Sequence, residues 1–460
     1  MTPTMTSMNR GRAASSVSLA VTAALAAFTF ACTPSEILVV EDPDIINPSN
    51  VESAAGAEAV RLGALARFNV ATTGAESLFF YGGLFADEWI NGDSFIYRQE
   101  IDQRIITVEN TFSLAANRQI YRVRLSAKQA IELIRKYNAA APGWQIGEMY
   151  MVSAYVTNLL AEQFCDGLVI SDVVDGKEVY GKQITTQAAY ELALTEVNNG
   201  LAAVTGSTTS DVRVRNALAL TKGRILANLN RQAEAATAVA GIPTNFQFLS
   251  YQSQTTNQNA YWDWNLNSRR YSVGEKEGTN GIDFVSAKDP RVPVCAGGDT
   301  ACKAIGVTNT VRDDLGGPFN VLMLWTTRDI NIPIMQGVDA RMIEAEAALK
   351  AGNAAGALTI LNAARTTKTG LAALADAGTA DARLAQVFRE RAFWQYGRGY
   401  RMGDMRRLIR QYGKTQAQVF PTGLWHKGGN YGTDVNMPLP QAEQNNPEVG
   451  LGATCINRSA

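Results

Sequence analysis

Hydrophobic positions recur at helical intervals along most of this chain, and most regularly over residues 333–408. Val338, Met342, Ala345 and Leu349 follow a 4-3-4 spacing that places them on one face of a helix. Gly352 ends that helix, and Asn353 is suited to cap the next, whose apolar line includes Leu358 and Leu361. A third helix starts at Asp381, carries Leu384, Phe388 and Trp394, and runs into an Arg/Gly/Asp cluster over 397–407. Within that cluster Arg401, Asp404 and Arg407 stand three apart on one helical face, where one carboxylate can bridge two guanidiniums. With Glu390 and Arg391 nearby, the cluster is expected to tie the last helix to the body.

The same rhythm appears earlier. The spacing predicts a helix over 51–68, with Val60, Leu62, Leu65 and Phe68 facing a core, and further helices over 111–137, 146–164 and 186–201. An aromatic stretch over 78–97 contains a Gly pair and an Asn-Gly step and is expected to be irregular. Residues 165–182 read as strand or loop. Residues 211–241 read as a tetratricopeptide-like helix pair, with Ala219, Gly223 and Ala227 small enough to let two helices approach closely. The 341–366 hairpin repeats that logic, and each pair needs a neighbour to bury its remaining face. Over 242–332 the helical period disappears in favour of Gln, Asn, Thr, Gly and aromatics, and after Arg410 the chain is again loop-rich. A patternless stretch of that length is functional or a subdomain rather than an ordinary loop. The expected fold is therefore mainly α: irregular tetratricopeptide-like helix pairs, an α-solenoid, supporting a loop-rich half. A single domain over 51–460 would have a helical body (51–241 and 333–412) and an insert (242–332).

The ends of the chain and its cysteines add a location. Arg10 and Arg12 precede an apolar run over 17–30, which is of signal-peptide rather than membrane-spanning length. It ends Thr29-Phe30-Ala31-Cys32, a small residue immediately before a cysteine, as in a bacterial lipobox. A signal peptide over 1–31, lipidation of Cys32 and a Pro/Asp-rich tether over 32–50 follow as expectations, with the lipid anchor holding the protein to a membrane. Cys165, Cys295, Cys302 and Cys455 then remain, an even number that suits disulfides in an exported protein. Four cysteines permit three connectivities. The Gly-rich loop between Cys295 and Cys302 favours that pair, leaving Cys165 with Cys455. A metal site is not expected, because there is one His and no CxxC.

Charge and motifs narrow the chemistry. The formal charge is −1, and the absence of a basic stripe argues against a nucleic-acid partner. His426 is the only imidazole and lies in a Gly-rich segment with no nucleophile elbow elsewhere, so it reads as a packing or surface residue. Gly413-Lys414-Thr415 lacks the earlier Gly of a phosphate loop, whose place is taken by Leu408. Asp87-Glu88 could be half of a glycosidase pair, but no partner carboxylate is evident. No catalytic residue and no cofactor is expected. Ligand binding has better support. Sugar C–H faces pack on aromatic rings while hydroxyls need planar polar groups. Two segments supply both: Tyr81, Trp89, Asn91 and Asp93 in one, and Trp262, Trp264, Asn265, Arg269 and Tyr271 in the other, with Trp325 able to join them. The same rings could instead fill the core or seat a partner protein.

Several motifs resemble the SusD/RagB family of outer-membrane nutrient-uptake lipoproteins. Met342-Ile-Glu-Ala-Glu-Ala is followed by the Gly352-Asn353 turn and by Leu361-Asn362-Ala-Ala-Arg365. Glu390-Arg391 leads to an Arg-x-x-Asp-x-x-Arg corner at Arg401, Asp404 and Arg407, and the chain closes with Pro438-Leu-Pro440, Glu443 and Asn446-Pro447. The resemblance implies tetratricopeptide-like pairs supporting an irregular half. It also implies a SusC-like TonB-dependent outer-membrane barrel as partner and an oligosaccharide or peptide as ligand. Trp89 and Asn91 fall where the family's early ligand loop would be. The alternative is a tetratricopeptide scaffold lipoprotein that organises other proteins without a nutrient ligand.

Overall fold

The helical rhythm becomes a succession of antiparallel helix pairs. The computed structural model describes residues 51–174, 177–296, 300–306, 313–317, 319–450 and 455–459. The expected signal peptide, the Cys32 anchor and the tether over 32–50 lie outside the described residues. The chain divides into two units, Met1–Glu52 and Ser53–Ala460.

The second unit is mainly α. It opens with α1 (Ala54–Thr73), α2 (Leu78–Phe85), the short strand β1 (Trp89–Asn91) and α3 (Ile96–Gln103). The long helices α4 (Thr111–Tyr137), α5 (Gly143–Gln163) and α6 (Thr186–Ala203) follow. Next come α7 (Thr209–Asn228), α8 (Gln232–Val239), and strands β2 (Gln247–Ser250), β3 (Tyr271–Val273) and β4 (Ile332–Gln336). The body closes with α9 (Gly337–Lys350), α10 (Ala354–Arg365), α11 (Ala380–Trp394) and α12 (Arg401–Tyr412). Helix α4 packs on α1 and α5, α5 on α6 and α7, α8 on α9, and α9 on α10 and α11, so each pair covers the next.

Local chemistry sets the ends of these helices. Side-chain oxygens of Thr185, Asn353 and Thr379 accept N–H bonds from the first turns of α6, α10 and α11. Thr208 and Asp211 form a capping box at α7. Gly352, at φ +80, makes the left-handed step between α9 and α10. Gly223 in α7 lies so close to α8 that a Cβ there would come within 2.4 Å of Val239. That close approach is what the small residues of the 211–241 pair predict.

The structure differs from the sequence reading in three places. Helix α1 begins at Ala54 and turns Leu62 outward, 51% exposed, because Ala57, Ala64, Phe68 and Ala71 form its buried face. The 78–97 stretch is ordered: α2 is buried on every side, and its glycines are required by packing, since a Cβ at Gly82 would meet the Gln163 side chain at 2.6 Å. In the charged corner, Asp404 does bridge two guanidiniums, but they are Arg391 and Arg407. Arg401 turns away to clasp Asp87 with two bonds of 2.7 and 2.8 Å.

Strand β2 pairs with β4, joining the two points where the insert leaves and re-enters the helical body. Disulfides link Cys165 to Cys455 and Cys295 to Cys302. Among the described residues no helix is long and apolar enough to cross a membrane.

Candidate functional site

The two aromatic segments, far apart in sequence, meet in one small antiparallel sheet. Strand β1 pairs with β3 in the register Trp89↔Val273, Ile90↔Ser272 and Asn91↔Tyr271. The pairing exists because α2 and the insert enclose both strands in a shared aromatic core. Phe80 lies 5.6 Å from Trp89, 4.5 Å from Tyr261 and 5.0 Å from Tyr271, ring centre to ring centre. Trp89 also packs on Tyr396, and Trp325 meets Tyr261 edge-on at 4.6 Å.

Most of the predicted site residues therefore hold the site up rather than form its surface. Tyr81, Trp89, Asn91 and Tyr271 are fully buried and Asp93 nearly so. A ring with no exposed face cannot stack on a ligand. The Asn91 side-chain amide donates to the Asp93 carbonyl at 2.8 Å, and its backbone N–H donates to Asp102 at 2.9 Å. Asn265 is likewise buried, donating to the Tyr271 carbonyl and accepting from the Leu322 N–H.

The surface above this core is made by other groups. Phe95, 50% exposed, and the half-buried Trp264 both lie against the Arg98 guanidinium, at 4.8 and 4.4 Å from their ring centres. Phe112 closes a third side at 4.6 Å. Arg98 is itself buried, with Asp93 on one nitrogen and Glu76 on another. Burial alone would lower its pKa, but Tyr271 and Asp93 outweigh it, so the cation is firmly held. Trp264 stacks on Tyr271 at 5.5 Å.

Trp264 belongs to a single π-helical turn, Trp262–Asn267, a form that recurs at functional sites. Arg269 ends the turn in the left-handed region at φ 55 and brings Arg270 over the Phe95 ring at 5.8 Å. Asn267 and Ser268 are pinned to Asp263 at 2.8 Å each. Trp262 stacks on Arg328 instead of joining this face. Lys427 braces it from the C-terminal loop, donating to the Asp93 carbonyl at 2.6 Å. His426 Nε2 donates to Asp102, 2.8 Å away; burial would lower its pKa, but Asp102 raises it overall.

The sequence does not single out Phe95, Arg98 or Arg270. The signal was present in the 93–98 spacing, where an acid, a ring and an arginine fall on adjacent turns, but nothing in it says which ring faces outward. Chemically the face offers two rings and a fixed cation beneath them, with Arg270, Asn267 and Ser268 as polar groups at the edge. Among the described residues no cluster of three or more His, Cys, Asp or Glu could hold a metal ion.

The architecture has close parallels among solved structures. A SusD superfamily protein from Parabacteroides distasonis superposes with a TM-score of 0.63, covering 86% of this chain and 98% of its own at 14% identity. A SusD superfamily protein from Bacteroides vulgatus gives 0.61, with 85% and 97% coverage at 13% identity. This is a SusD-like fold. A SusD-like carbohydrate binding protein from Bacteroides vulgatus also matches, at TM-score 0.56 and 11% identity, over 77% of this chain and 83% of its own. No family model and no curated protein matches the sequence. At such low identity the likeness is one of fold.

Proposed function

We propose that this SusD-like protein is an outer-membrane lipoprotein of the SusD/RagB type. In this reading it captures an oligosaccharide, or another polymer fragment, and passes it to a SusC-like TonB-dependent barrel. The observation that carries the binding role is the joining of both aromatic segments at one sheet edge, with Phe95 and Trp264 presented over Arg98. The fold, which it shares with a protein described as carbohydrate binding, supports the class of ligand. The Cys32 motif supports a lipid anchor. A hydrolytic role has little to work with, because Asp87 is neutralised by Arg401 and Glu88 is sealed in the core.

Calorimetric titration with a glycan panel tests the ligand face. Trp264→Ala and Phe95→Ala are each expected to weaken the best ligand about tenfold or more, as loss of a central aromatic contact does. Unchanged affinity in both variants would remove this face from the proposal. Mild detergent extraction from the native membrane is expected to recover a large β-barrel with the lipoprotein, and its repeated absence would remove the delivery step.

A further inference from the structure

Most deeply buried arginines of this protein meet a carboxylate: Arg224 with Glu162, Arg391 and Arg407 with Asp404, Arg398 with Asp339. Arg406 does not, and neither does the half-buried Arg410 beside it. Both lie on α12 and line a polar cavity of about 480 Å³ on the side of the helical body formed by α6, the α7–α8 turn and α12. Arg406 is 1% exposed and uses one nitrogen to cap three carbonyls at the end of α5, those of Ala161, Glu162 and Phe164. Its Nε has no partner. Arg410 lies 5.7 Å over the Tyr190 ring, and its Nε and one Nη are buried without a partner. Tyr190 and Thr186, both more than nine-tenths buried, also line this space, and their hydroxyls have no partner.

The charge of the lining is mainly positive, two guanidiniums against the one carboxylate of Asp166. Among the described residues neither guanidinium has an ion-pair partner. The carboxylate in the lining, Asp166, is bonded to the Thr186 N–H. The positive end of α6, capped by Thr185, adds to the field. Burial, with the repulsion of Arg410 behind it, lowers the Arg406 pKa to about 10, so the fold holds this charge at a cost that an arriving anion would relieve. One wall is the C-terminal segment, where Asn457 pairs with Asp166 in a β-bridge. The Cys165–Cys455 disulfide beside that bridge fixes the wall in place.

We infer that this cavity is an anion-binding site, taking a phosphate, sulfate or carboxylate group between Arg406, Arg410 and the Tyr190 hydroxyl. Its volume admits a free oxyanion or a single acidic sugar. The inference is independent of the Phe95/Trp264 face, which lies on other elements.

Calorimetry of the protein with inorganic phosphate, sulfate, glucuronate and neutral glucose tests it. At least one of the anions is expected to bind, with glucose silent. Glucuronate bound in preference to the inorganic ions assigns an acidic sugar, and the reverse assigns a free ion. Arg410→Gln and Tyr190→Phe are expected to weaken binding about tenfold or more, as loss of a charge-assisted or buried hydrogen bond does. Arg406→Gln also uncaps α5 and can fail to fold, so the half-buried Arg410 carries the decisive variant. Reduction of the disulfide is expected to weaken anion binding by loosening the wall. No binding of any anion by the wild-type protein, or affinity unchanged in both Arg410→Gln and Tyr190→Phe, would overturn the inference.

Discussion

Replacing Asp404 with alanine is expected to destabilise the protein by about 3–5 kcal/mol, the range for breaking a buried ion network by removing one member. Asp404 takes two bonds of 2.7 Å from Arg391 and a third of 2.7 Å from Arg407. Arg407 also reaches Glu346, whose second oxygen lies 3.4 Å from Arg391, so two acids and two arginines close a ring between α9, α11 and α12. Tyr412 donates to Glu346 at 2.8 Å. All four charged residues are buried. Burial would raise the Asp404 pKa, but Arg391 and Arg407 outweigh it and hold it at about 2. Because that pKa lies below the usual 3.8, the stabilisation is present above pH 3.8 and is lost as pH falls towards 2. Alanine leaves the ring with an uncompensated positive charge. Asp404→Asn keeps the shape and removes only the charge, and is expected to lose most of the same stability. Urea unfolding at pH 7 measures both, and a loss below about 1 kcal/mol, no more than an exposed pair is worth, would show that the ring does not join the helices as described.

What sequence reveals here depends on how local the cause is. The α9–α10 hairpin is legible because its signals lie within a few residues of the structure they make: Val338, Met342 and Ala345 on one face, Gly352 and Asn353 at the turn. Helix α2 is not legible for the opposite reason. A helix buried all round has no polar face to mark its period, and its Gly pair reads as a break until Gln163 is seen packed against it. Partners for charges are the least legible of all. Asp404 has Arg407 within one turn, but Asp87 finds Arg401 314 residues away, and no spacing rule connects them. The candidate face divides in the same way. The sequence locates the two aromatic segments that become β1 and β3, yet residue type alone does not say which rings point inward. Tyr81 enters the core with α2, which is buried on every side, and Trp89 and Tyr271 pack on its Phe80, so exposure falls instead to Phe95 and Trp264.

The Glu88→Gln variant is expected to be more stable than the wild-type protein above pH 8 and to flatten its pH dependence from pH 5 upward. Glu88 is completely buried beside Tyr261 and Tyr396, with one oxygen accepting from the Gly397 N–H at 3.0 Å and the other without a partner. Burial, then the neighbouring charge of Asp87, pushes its pKa from 4.5 up to about 8, against the pull of Gly397, Arg401 and Arg398. The folded protein therefore holds a proton there at neutral pH that the unfolded chain has released. A group with its folded pKa raised contributes fully below pH 4.5 and loses that contribution as pH rises to about 8. At about 1.4 kcal/mol for each pH unit, the loss across this window is on the order of 5 kcal/mol. Glutamine keeps the acceptor for Gly397 and has no charge to bury at any pH. Glu277 and His426 also have raised pKa values and add slopes of the same sign, but they are present in both proteins and cancel in the comparison. Urea midpoints for wild type and Glu88→Gln at pH 6 and pH 9 decide the matter. Parallel losses between the two pH values would mean that Glu88 is already ionised in the fold. Divergent ones make Asp87-Glu88 a salt-bridged acid beside a protonated, sealed one, with Asp87 tying Arg401 of α12 to the segment between α2 and β1.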